Sequence, residues 1–234
     1  MTSFRTLASM LLAACVTVAA PCAFADTVTY ANITNSTGTV VTGTLNGDAF
    51  TITGPTAFVN LSGSNNINYF VPNAGNPTSP VYIGGNISNA PTDKGIVALQ
   101  SPNQSYTITF ANPLSGTLVF SEVSLGDGPI VSYTFDHSFT VETCGEGYWG
   151  GGCFQQGVGT SGTVLSGGES SGSIEFNGPV SSLSFTVGGN SEYWNGFDLG
   201  VVDAASPVPE PGSLALLGTG LFGLVGVARR KLRS

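Results

Sequence analysis

The chain has 234 residues, of which only 9% are charged and 41% are hydrophobic, and its formal net charge is −8. Charge is unevenly placed: Arg5 and the terminal group Arg229, Arg230, Lys231 and Arg233 leave Lys94 as the sole base between them, against 13 acids, so residues 26–205 stand near −12. So acidic a body repels nucleic acid and anionic lipid head groups, and its recurring alternation of Val, Ile, Phe and Tyr excludes a wholly disordered polar tract.

Taken in chain order, the first 25 residues read as a secretory signal peptide. Arg5 is the positive start, Leu7 to Ala20 is an apolar core of suitable length, and Ala23-Phe24-Ala25 supplies small residues at the cleavage site. A second reading stays open, because Leu12-Ala13-Ala14-Cys15 resembles a bacterial lipobox that would make Cys15 a lipidated terminus.

The body, residues 26–205, predicts an all-β antiparallel sandwich, jelly-roll-like, with no amphipathic helix. Strand-like runs occur at Thr27–Thr34, Val40–Leu45 and Ala49–Thr53, with Asn46-Gly47 as a tight hairpin turn between the last two. Further runs are Ala57–Leu61, Ile67–Val71, Val81–Ile83, Ile96–Leu99, Tyr106–Phe110, Thr117–Val123, Ile130–Phe135 and Phe139–Glu142. Ser173–Phe176, Val180–Val187 and Phe197–Val202 complete the set. Residues 72–94, punctuated by four prolines, read as a long loop. Two segments echo one another, each a strand, a proline corner at Pro113 or Pro179, and a second strand; they predict two similar corners of the sandwich. The closing run places Phe197, Leu199 and Val201 on one face.

Once the signal peptide is removed, two cysteines remain. An even pair in an exported protein predicts a Cys144–Cys153 disulfide. Between them lie Tyr148 and Trp149 among five glycines. Two readings follow: the aromatics stand exposed on a constrained mount suited to stacking on sugar rings, or the loop folds back and Trp149 fills the core.

The tail, residues 206–234, has three parts: Pro209-Glu210-Pro211, an uncharged apolar stretch from Ser213 to Ala228, and the basic end. Sixteen helical residues reach roughly 24 Å, short for a bilayer core of about 30 Å. The basic end fixes that side in the cytoplasm. The tail therefore predicts a short transmembrane helix with the body outside. In order and position these parts closely resemble the PEP-CTERM sorting signal of Gram-negative bacteria. That resemblance implies export, recognition at Pro209-Glu210-Pro211 by an exosortase-type enzyme, membrane attachment before processing, and association with exopolysaccharide or biofilm at the cell surface or in the extracellular matrix. The strand-corner-strand style also resembles the β-sandwich bodies of many such proteins.

Little else in the chain points to chemistry. His137 is the only histidine and has neighbours Asp136 and Ser138, which a strand would send to the opposite face. Lys94 has no phosphate loop beside it. Carboxylate pairs that a glycosidase would need can be written as Glu142 with Glu146, or Glu192 with Asp198. Asp127 and Asp136 sit at strand ends where a structural calcium could bind, though no calcium-loop motif is present. The resulting expectation is an exported, non-catalytic surface or matrix protein without an organic cofactor. The alternatives are a carbohydrate-binding module that uses the aromatic loop and, third, a glycoside hydrolase.

Material secreted by its own host should lack both ends, and intact-mass measurement checks this. A mass that still includes Leu214–Ser234 would replace sorting by permanent anchoring.

Overall fold

The computed structural model describes residues 26–71, 81–92, 94–99, 102–127, 130–155, 162–176, 178–190 and 192–202. The signal peptide and the sorting tail, including Ala23, Ala25, Pro209, Glu210, Pro211 and the basic end, lie outside these residues. So does the expected transmembrane helix; among the described residues no helix is long and apolar enough to cross a membrane.

The strands are β1 Val28–Tyr30, β2 Asn32–Ser36, β3 Val40–Leu45, β4 Asp48–Thr53, β5 Phe58–Asn60, β6 Ile96–Leu99 and β7 Ser105–Phe110. They continue as β8 Thr117–Leu125, β9 Val131–Phe135, β10 Phe139–Gly145, β11 Val164–Gly167, β12 Ser170–Phe176, β13 Ser182–Gly189 and β14 Asn195–Val202. They form two antiparallel sheets. One runs β10-β12-β8-β14-β6-β5, with β1 also on β14; the other runs β11-β9-β13-β7-β4-β3-β2.

The second sheet shows the one-sided alternation that the sequence predicts. Tyr106, Ile108 and Phe110 are buried while Ser105 and Thr109 are exposed, and β13 does the same with Leu183, Phe185 and Val187. Residues two apart share a face, so these side chains line the interior. From the first sheet Phe120, Phe176, Phe197, Leu199 and Val201 meet them in a single core cluster. Phe120 is its centre. It stacks on Phe197 at 4.3 Å between centroids and meets Phe135 and Phe185 edge-on.

The first sheet differs, because β12 and β14 are buried along their whole length. Its outer face is covered by irregular chain from residues 61–71 and 81–92. Phe70, Val81 and Tyr82 pack there on Ile96 and Val123. Ile87 packs on Val28, Val119 and Val202. Asn89 ties this layer to β1 as a strand would: its Oδ1 accepts from Val28 N–H at 2.7 Å and its Nδ2 donates to the Val28 carbonyl at 2.9 Å.

Several expectations hold at residue level. Asn46 and Gly47, at φ of 50° and 86°, turn β3 into β4. The two proline corners are the places where the chain changes sheet, from β7 to β8 and from β12 to β13. They lie side by side, with Leu114 N–H donating to the Val180 carbonyl at 3.0 Å. Phe197, Leu199 and Val201 are core as expected.

Other expectations are corrected. Thr27–Thr34 is not one strand, since the chain leaves β14 at Ala31 and joins the other sheet as β2. Ile67–Val71 and Val81–Ile83 are turns, not strands; they find no partner strand, and Asn68 Oδ1 takes the Phe70 N–H at 2.9 Å within its own turn. β11 was not expected. It pairs with β9 and has just one inward apolar side chain to announce it, Leu165.

Truncating Phe120 to Ala should cost about 3–5 kcal/mol of unfolding free energy in urea, as emptying a packed aromatic site does. The exposed Thr140→Ala should stay within about 0.5 kcal/mol. Similar costs for the two would displace Phe120 from the centre of the core.

Candidate functional site

Cys144 and Cys153 are joined by a disulfide, with Cα atoms 4.7 Å apart. The bond closes the chain that leaves the end of β10. Inside the ring, Gly147 and Gly150 exchange backbone hydrogen bonds of 2.9 and 3.2 Å, which puts Tyr148 and Trp149 at the tip of a two-residue turn. Gly151 (φ +83°) lets the loop close against its neighbour, because a Cβ there would overlap the Glu169 carbonyl oxygen. The disulfide turn is thus pressed against the β11–β12 hairpin.

Trp149 is neither freely exposed nor a core plug. It keeps 46% of its surface open. It stacks on Tyr69 at 5.2 Å and 24° between planes, and meets Trp194 edge-on at 4.9 Å. Tyr148 is half-buried against the edges of Tyr69 and Trp149. Phe58 backs Trp194 at 4.9 Å. Three segments distant in sequence therefore build one aromatic platform.

Beside the platform is an open cleft of about 450 Å³, lined by Ser124, Asp127, Trp149, Glu169, Tyr193 and Trp194. Tyr193 is 81% exposed. Ser124 enters by a β-bulge: between the Leu125–Ser170 and Glu122–Gly172 pairs, β8 has one residue more than β12. Ser124 takes a φ of +62° there, and Glu169 in the facing hairpin takes +68°. The Ser124 hydroxyl donates to Glu169 Oε1, while Ser171 Oγ accepts the Ser124 N–H at 3.1 Å. Bulges and left-handed non-glycine residues are costly locally and recur where a side chain must be aimed.

Behind the cleft are two buried acids. Glu192 is 8% exposed, and neither of its oxygens makes a well-formed hydrogen bond. Burial pushes its carboxyl up to about 8, the Gly126 backbone opposes this, and Glu169 and Asp127 add to the rise. Glu122 faces the sandwich interior on the same side as Phe197. It accepts from the Tyr133 hydroxyl at 3.3 Å, and that hydroxyl also contacts Asn195 Oδ1. Burial, then Glu192, raise Glu122 well above the ordinary carboxylate range, with the Tyr133 hydroxyl opposing. Burial also raises Glu169, with the Ser124 hydroxyl opposing.

The sequence-derived carboxylate pairs do not form as expected. Glu142 Oε2 accepts the Asn86 N–H at 3.1 Å and Glu146 is exposed. Asp198 points to the face opposite Phe197 and interacts with Tyr30, away from the Glu122 side. Asp127 and Asp136 are not one site: Asp127 lines the cleft, whereas Asp136 contacts His137 at 2.6 Å and accepts the Ser184 N–H at 3.0 Å. Among the described residues no three His, Cys, Asp or Glu side chains are placed to hold a metal ion. Sequence reasoning missed Tyr69, Trp194, Tyr193, Glu169 and Ser124. The run Glu192-Tyr193-Trp194 was the available signal, an acid and two aromatics just before a core strand.

A PEP-CTERM protein-sorting motif matches residues 207–231, so the chain is a PEP-CTERM domain-containing protein. That motif implies export, sorting to the cell surface and processing by exosortase. No curated protein matches the chain. Among solved structures, it is similar to the catalytic domain of a GH87 alpha-1,3-glucanase variant in complex with tetrasaccharides, at 12% identity and a TM-score of 0.28. A second variant of that domain, in complex with nigerose, gives 11% identity and a TM-score of 0.27. Each match covers 69% of this chain and 29% of the other, so the chain spans under a third of those proteins. A likeness so distant carries no conclusion about activity.

The acids make a signed pH prediction. A carboxyl near 4.5 when unfolded and near 8 when folded holds its proton in the native state alone across that window. Native protein then binds more protons than unfolded, and stability falls as pH rises from about 5 to 8. Thermal unfolding across that range should show Tm declining in the parent and a visibly flatter profile in Glu192→Gln. An equally steep profile in the variant would remove Glu192 as its origin.

Proposed function

We propose that this is an exported, non-catalytic cell-surface protein, sorted through its PEP-CTERM tail, whose cleft binds carbohydrate of the surrounding exopolysaccharide or biofilm matrix. The observation that carries the reading is Trp149, half open to solvent yet fixed on Tyr69 and Trp194, beside the exposed Tyr193 in one cleft. A flat apolar face held rigid loses little conformational freedom when a sugar ring stacks on it, and the polar edge of the cleft can bond ring hydroxyls. The disulfide and Gly151 supply that rigidity. Exosortase is the processing partner, and the tail attaches the chain to the membrane through its apolar stretch until it is processed.

Trp149→Ala should abolish most retention of the chain on an exopolysaccharide affinity gel. Its unfolding free energy should fall by only about 1 kcal/mol, the scale of lost aromatic contacts on a half-exposed ring. A loss of several kcal/mol would assign Trp149 to the core and return the protein to a passive surface component.

A further inference from the structure

A neutral sugar needs only neutral polar groups along a cleft wall, such as the Ser124 and Tyr193 hydroxyls here. This wall adds carboxylates: Asp127 and Glu169 in the lining, with Glu192 and Glu122 behind. Among the described residues no lysine or arginine forms an ion pair with them. Lys94 is the one lysine or arginine of residues 26–205, and the one ion pair of the described residues is His137 with Asp136, elsewhere on the surface. Glu192 stands out because it is 92% removed from solvent without a well-formed hydrogen bond, within electrostatic reach of both lining acids. Beyond the Gly126 backbone such a group has little to satisfy it.

We infer that the cleft selects an amino sugar, a hexosamine unit bearing a protonated amine, over neutral saccharides. This rests on the carbohydrate reading of the same site. The amine supplies the positive charge that the wall lacks and donates charge-assisted hydrogen bonds to Glu169 and Asp127. The ring meanwhile stacks on Trp149, and an ammonium over an indole face gains a further cation–π attraction. A partly deacetylated hexosamine polymer presents both features in every unit. N-acetylated units keep the stacking face and lose the charge.

Titration calorimetry of the full-length chain in mild detergent, at about pH 6 and low salt, tests this with three β-linked hexasaccharides: glucosamine, N-acetylglucosamine and glucose. Glucosamine hexamer should bind at least about tenfold more tightly than glucose hexamer, the range of a charge-assisted bond. The advantage should shrink to within about twofold in the Asp127→Asn, Glu169→Gln double variant. It should shrink also in the unchanged protein at about 0.5 M salt, where screening is short-ranged; that arm needs no variant to fold. Equal affinity for all three overturns the amino-sugar inference and leaves the carbohydrate reading standing. An advantage that survives both the substitutions and salt overturns it too. Failure of every saccharide to bind overturns both, and binding of millimolar calcium alone in that case makes the cleft a cation site instead.

Discussion

With one lysine and no arginine among residues 26–205, ion pairing is not available as a way to hold acids in place, and much of the structure depends on how it does without. Each acid that is removed from water has a neutral solution. Glu122 takes the Tyr133 hydroxyl. Glu169 takes the Ser124 hydroxyl, Glu175 the Asn86 side-chain amide at 3.4 Å, and Glu142 a backbone N–H. These bonds are weaker than bonds to a cation, so burial wins and the carboxyls of Glu122, Glu169 and Glu175 rise. Glu192 has the poorest solution of the set. The negative wall of the cleft is therefore a consequence of composition before it is a feature of the site.

The same shortage of charge shapes the sheets. A one-sided sheet normally presents charged residues to water. Here the second sheet presents threonine and serine, such as the Ser105–Thr186 and Thr107–Ser184 hydroxyl pairs at 3.0 and 3.1 Å. The first sheet hides its outer face under irregular chain, where Ser121 and Ser173 bond each other at 2.9 Å in the dark. A layer with only isolated bridges, such as Asp26 to Ile87, is tied further by side chains: Asn89 imitates a strand and Asn86 reaches Glu175. Tyr69 belongs to that layer. The aromatic platform arises where the cover meets the disulfide turn.

Legibility followed the range of the interaction. The Asn46-Gly47 hairpin, the proline corners and the inward face of β14 are local patterns, and all were readable. So was the disulfide, from parity and export. Strand starts without apolar alternation were not: the Ser170-Ser171-Gly172 start of β12, ahead of the expected Ser173–Phe176, is buried by a cover that no periodicity announces. Conversely, Ile67 and Ile83 look like strand residues and stay 52% and 40% exposed in turns. For the site, Tyr148 and Trp149 were visible as a constrained pair. Their partners were not, because Tyr69 and Trp194 approach them only after the loop layer has folded over β6 and β14.

That dependence links the end signals to the body. The cleft needs Trp149 held at one angle, and the holding device is a ring with five glycines whose ends are joined by a disulfide. Glycine loses more freedom on ordering than any other residue, so the open ring has a large entropy to surrender each time a ligand docks. The bond removes much of that freedom beforehand. It forms in an oxidising compartment and not in a reducing one. The disulfide that holds Trp149 thus suits the exported destination that the sorting motif at residues 207–231 implies.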